Sequence, residues 1–189
     1  MAEGSASLGL REIARRAGVS HGAPRRYFPT HHALLSAIAH RGFADLGARF
    51  AAASRGIASP RGQLEALGRT YVGYALECRG MFELMFRHDL LDSEKHESDR
   101  PRLRESTLPL FEHLVGLVTR YRTERAVPED AGTPPDVTAA ALWSNLHGIA
   151  QLWTWGSLQL ALGVPAPDGD RLARLVAAAL DAHLGPAAS

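Results

Sequence analysis

Residues 10–35 read LREIARRAGVSHGAPRRYFPTHHALL, and the pattern in this stretch decides the fold. Leu10, Ile13, Ala14 and Ala17 recur at i, i+3, i+4 and i+7, one apolar face of a helix. Gly18 stops that helix, because glycine accepts the left-handed conformation that a helix end needs. Val19 plugs the turn, and Ser20 caps a second, short helix running to about Tyr27. Phe28 closes the unit, Pro29 breaks it, and Thr30 caps a third helix starting at His31. Two short helices around a tight glycine turn predict a helix-turn-helix, whose second member fits the DNA major groove.

The charge distribution agrees with that reading. Residues 1–32 hold five arginines (11, 15, 16, 25 and 26) against Glu3 and Glu12, or +3. The remaining 16 basic and 18 acidic residues sum to −2, so a basic head sits on a mildly acidic body and the whole chain is only +1. A head of this kind presents one end to phosphate. The 189 residues, 46% hydrophobic and 22% charged, suit a globular chain of one sizeable core or a small domain joined to a larger one.

Several classes are excluded. One cysteine, Cys78, allows no intrachain disulfide, fits a reducing compartment and reads as buried filler among Tyr71, Tyr74 and Ala75. The start, MAEGSASLGLREI, lacks the apolar run of a signal peptide. Residues 137–167 carry no Asp, Glu, Lys or Arg, yet Asn145, His147, Gln151, Thr154 and Gln159 interrupt them, which argues for an interior helix over a membrane span. His88, Asp92 and His96 are the one cluster of metal-ligand types, with no closing ligand at regular spacing, so no metal is expected. No nucleophile elbow or phosphate loop appears, and no enzyme or cofactor is expected.

The run IARRAGVSHGAPRRYFPTHHALLSAI resembles the DNA-binding signature of the TetR family of bacterial one-component regulators, through Ile13, Ala14, Ala17, Gly18, Val19, Ser20, Phe28, Pro29, Ala33, Leu34 and Leu35. Trp143, His147 and Gly148 resemble the Trp-His-Gly signature of one C-terminal subclass. The resemblance implies a DNA-binding head, a larger ligand-binding and dimerisation body, and a four-helix bundle between the last two helices of two subunits. It also implies a helix ahead of the helix-turn-helix that residues 1–9 (MAEGSASLG) do not supply, so the head is expected to be N-terminally truncated and locally weak. Arg25 stands where the family usually has a tyrosine, after Pro24, and His31 where it has a lysine. Ser20, His21, Arg25, Arg26, Tyr27 and His31 are the expected DNA-binding residues.

Beyond the head, apolar periodicity predicts helices over about 31–53, 60–78 (capped by Ser59 before Pro60), 81–86, 101–125, 134–157 (capped by Thr133) and 168–184. With the helix-turn-helix pair this makes eight helices, no strand, and an all-α fold. Phe82, Met85, Phe86, Phe111, Trp143 and His147 are the candidate ligand-binding residues; His147 either recognises a ligand or bonds a buried carbonyl. The 134–157 helix is apolar nearly all round and needs cover on every side, which a second subunit supplies economically. Trp153, Trp155, Leu172, Leu175, Val176 and Ala179 are therefore the expected dimer interface.

The expectation is a cytoplasmic regulator with a DNA-binding domain over 1–45 and a ligand-binding and dimerisation domain over 46–189. As a homodimer it binds a palindromic double-stranded operator, mainly as a repressor, and a small apolar effector releases it. The alternatives are a dimeric small-molecule-binding or interaction protein that has lost DNA binding with the first helix, and a metal-dependent enzyme built on His88, Asp92 and His96.

Overall fold

The structure is a computed structural model that describes residues 28, 30–87, 90, 103–126, 132–163 and 169–186. Thr30 has extended backbone and its Oγ1 accepts a hydrogen bond from the Ala33 amide at 3.0 Å, so helix α1 begins at His31 as its capping residue predicts. α1 (His31–Ala53) buries Leu35, Ala39, Phe43, Leu46 and Phe50, one face at spacings of three and four. It is continuous across residues 45 and 46, so the two expected domains share this helix.

Ser59 caps α2 (Pro60–Glu77), accepting from the Gly62 amide at 3.2 Å. α2 packs against α1 and against every longer helix that follows, and its buried Leu64, Leu67, Tyr71, Val72 and Tyr74 form the centre of the core. At Cys78 the chain turns into α3 (Arg79–Met85), which buries Phe82, Leu84 and Met85. Met81 and Met85 of α3 lie over Gly42 of α1: a Cβ there would sit 2.6 Å from the Met85 sulfur and 2.9 Å from that of Met81.

The helix expected over 101–125 is two elements. A 3₁₀ turn (Leu103–Ser106) precedes α4 (Leu108–Glu124), because Pro109 lacks an N–H and is accommodated only in a helix's first turn. α5 (Pro135–Thr154) starts one residue later than expected: Pro134 is its cap residue, and Thr133 instead offers its carbonyl to the Thr138 hydroxyl at 3.4 Å. α5 also ends early. Gly156 takes the left-handed conformation at φ 80° and opens a separate short helix, α6 (Ser157–Leu162). α7 (Gly169–Leu184) completes the chain.

α5 lies between α2, α4 and α7. Most of its girth is therefore covered within one chain, leaving a strip through Ser144, Asn145 and Leu152 exposed. The end of α7 is tied down by Arg61 of α2, which donates to the Gly185 carbonyl at 2.8 Å and pairs with Asp181. Tyr121 of α4 donates to the Leu184 carbonyl at 3.1 Å. Among the described residues there is no strand, and no helix long and apolar enough to cross a membrane.

Candidate functional site

The apolar faces of α1, α2, α4 and α5 converge on a cavity of about 40 Å³. Phe43, Leu46 and Phe50 form its α1 wall; Leu67 and Tyr71 of α2 and Phe86, just after α3, form the next. Thr107, Leu110, Phe111 and Leu114 line the α4 side, and Trp143 and Leu146 close it from α5. Among the described residues no lining side chain is charged. A pocket for a small organic ligand commonly measures about 300–1,000 Å³, so these walls must move apart to admit one.

Beside the cavity lies a polar chain inside an aromatic box. Trp143 Nε1 donates to the Tyr71 hydroxyl at 3.2 Å, and that hydroxyl lies 2.7 Å from His147 Nδ1. An indole N–H can only donate, so the Tyr71 hydroxyl accepts from Trp143 and shares a second hydrogen bond with the His147 imidazole. Burial pushes the His147 pKa below its ordinary value, favouring the neutral ring, and the Tyr71 phenol well above its own. The imidazole stacks on Phe82 at 5.5 Å between ring centroids and meets the edge of Phe86 at 4.7 Å.

Of the expected ligand-binding residues, Phe86, Phe111 and Trp143 line the cavity. Phe82 and Met85 are buried without lining it, and His147 touches its wall through Tyr71 and Phe86. His147 does not bond the buried carbonyl that was one of its two expected roles: its Nδ1 partner is the Tyr71 phenol. Sequence reading placed Tyr71 merely on a buried face; its partner is a histidine on another helix, which no local pattern connects to it. The α1 wall was likewise read only as core.

The expected DNA-binding residues Ser20, His21, Arg25, Arg26 and Tyr27 lie outside the described residues, as do His88, Asp92 and His96. His31 is half-buried in the first turn of α1. Among the described residues no group of three or more His, Cys, Asp or Glu could hold a metal.

Of the expected dimer residues, Trp153, Val176 and Ala179 are buried within the single chain, Leu172 and Leu175 are half-buried against its core, and Trp155 is 61% exposed. Ile149, Leu152, Leu158, Leu175 and Ala179 line an open groove where α5, α6 and α7 meet, with Gly148 at its floor. A Cβ on Gly148 would meet no atom within 4 Å, so nothing in this chain requires a glycine there. Leu160, 85% exposed, and Leu162 extend the apolar surface along α6.

An all-helical body around an apolar cavity, entered by one long helix, is the architecture of TetR-family regulators. The whole chain superposes on the TetR family transcriptional regulator PfmR from Thermus thermophilus with a TM-score of 0.64 at 19% identity, covering 97% of this chain and 91% of that one. For SCO4313, described as a regulatory protein, the TM-score is 0.67 at 22% identity, covering 98% and 89%. A protein of unknown function from Rhodococcus sp. RHA1 is 30% identical, with a TM-score of 0.72 and coverage of 97% and 86%. No curated protein matches the chain. Residues 64–180, more than half of the chain, match the tetracyclin repressor-like C-terminal domain, and the chain belongs to that family.

Proposed function

We propose that this protein is a ligand-responsive transcriptional regulator, a repressor that binds a palindromic operator as a homodimer and leaves it when a small apolar effector fills the cavity. The observation that carries this reading is the identity of the cavity's first wall. Phe43, Leu46 and Phe50 belong to α1, the helix that begins at the Thr30 cap, directly after the helix-turn-helix stretch. A molecule that parts the walls displaces the helix on which the head is carried, and so shifts the population of DNA-competent dimers.

Ser20, His21, Arg25, Arg26, Tyr27 and His31 are the proposed DNA-contacting residues, with the arginines gripping phosphate or a guanine edge. The homodimer is proposed to close over the α5–α7 groove. Its exposed Leu152 and unobstructed Gly148, with the exposed Trp155 at the end of α5, suit a second helix pair lying against it. Two heads so joined reach half-sites one helical turn apart.

The test is a gel-shift with a pool of random-sequence duplexes at low salt, followed by selection of the bound fraction. The regulator reading expects binding that falls steeply as salt rises and weakens in Arg25→Ala and Arg26→Ala. No retention of any duplex at low salt would sink the regulator reading in favour of the small-molecule-binding alternative.

A further inference from the structure

We infer that the cavity selects uncharged aromatic molecules of one or two rings, and discriminates against both ions and saturated hydrocarbons of the same size. This rests on reading the cavity as the effector site and names the chemistry that the site accepts. Four of the chain's six phenylalanines, Phe43, Phe50, Phe86 and Phe111, stand on its wall beside Tyr71 and Trp143.

These rings meet edge to face or tilted, not in parallel. Phe43 and Phe86 are 5.6 Å apart at 81°, Tyr71 and Phe86 6.4 Å at 71°, and Phe111 and Trp143 6.0 Å at 45°. A flat ring sliding among them continues the same arrangement, setting its own edges against their faces. A saturated ring of equal volume gains the burial but not that electrostatic match.

Charge is excluded by what the wall lacks. Among the described residues it carries no Asp, Glu, Lys, Arg or His, and the Trp143 N–H and the Tyr71 hydroxyl are already engaged with each other and with His147. An ion would enter without a counter-charge, which burial does not tolerate. Size is limited by the walls themselves. The cavity measures about 40 Å³, whereas a cavity that holds benzene measures about 150 Å³. One ring already forces an expansion, and each added ring demands a larger one.

The test is calorimetric titration of the full chain, free of DNA, with naphthalene, decalin, 1-naphthoate and benzyltrimethylammonium. Naphthalene should bind saturably, decalin about threefold more weakly or worse, and both ions at least ~tenfold more weakly. Phe86→Leu and Phe111→Leu, with folding checked by circular dichroism, should narrow the gap between naphthalene and decalin while decalin still binds. No binding of naphthalene, decalin or an ion binding as tightly as it, or an unchanged gap in both variants, overturns the inference. Because the titration contains no DNA, failure to find an operator leaves it intact. Naphthalene that binds but releases no duplex sinks the regulatory reading alone.

Discussion

Tyr71 on α2 and His147 on α5 are 76 residues apart in the chain and 2.7 Å apart in the core. With Trp143 they form one hydrogen-bonded chain, in which the phenol holds the other two groups. Removing the middle member leaves a buried indole N–H and a buried ring nitrogen unpaired. Tyr71→Phe should lower stability by about 1–3 kcal/mol. In a double-mutant cycle with His147→Phe the two losses should fall short of adding, by about 0.5–3 kcal/mol. Strict additivity in chemical denaturation would mean that the two residues act separately.

The same pair gives a pH dependence. Burial holds the folded-state pKa of His147 below its unfolded value of 6.5, so the unfolded chain takes up a proton that the folded chain resists. The stability contributed by the neutral imidazole is whole above pH 6.5 and is lost as pH falls through the lower folded value. The groups facing this ring are Tyr71, Phe82, Phe86 and Gln151, none of them an acid. Melting temperature should therefore fall more steeply from pH 7 to 5 (a range set by the ordinary histidine pKa of about 6.5) in the wild type than in His147→Gln. Parallel curves would refute this.

Gly42 and Gly73 both sit inside helices and should respond oppositely to alanine. At Gly42 the new methyl would lie 2.6 Å from the Met85 sulfur and 2.8 Å from its Cγ, so either the methionine side chains or the helices α1 and α3 must shift. At Gly73 it would meet nothing within 4 Å. Gly42→Ala should cost about 1–3 kcal/mol, and Gly73→Ala should be neutral or gain about 0.5–1 kcal/mol from helix propensity. Urea denaturation separates the two; a harmless Gly42→Ala would show that the methionines yield freely.

Gly148 offers a test of the dimer that spares the subunit. Since a Cβ there meets no atom of the described residues within 4 Å, Gly148→Ala should fold normally yet add bulk against a partner seated on the α5–α7 groove. Sedimentation should show the wild type as a dimer and the variant shifted toward monomer, as Trp155→Ser should be, with little change in helical content. A variant dimer as tight as the wild type would move the interface elsewhere.

The sequence shows which parts of this architecture are written locally. Thr30 and Ser59 announce α1 and α2 because a capping hydroxyl is a one-turn decision, and α7 follows from the clean stripe of Leu172, Leu175, Val176, Ala179 and Leu180. The break before α4 was visible too, in Pro109, but apolar periodicity on both sides masked it. The α5–α6 corner depends on Gly156 adopting positive φ, a choice that a run of Trp, Ser and Leu does not reveal. The cavity was half legible: Phe86, Phe111 and Trp143 stand out by type, whereas Phe43, Phe50 and Tyr71 look like ordinary core until four helices bring them together.

The length of α1 also matters. At about 1.5 Å per residue, the stretch from Phe50 back to His31 is a rigid arm roughly 30 Å long. Its short end is clamped among the aromatic rings, and its long end points toward the N-terminal segment. Rotating such an arm by only about 5° about Phe50 carries its tip some 2.5 Å, nearly half the rise of one helical turn. In the proposed mechanism, gearing of that kind turns a small parting of the cavity walls into a shift at the N-terminal end of the helix large enough to re-space two reading heads.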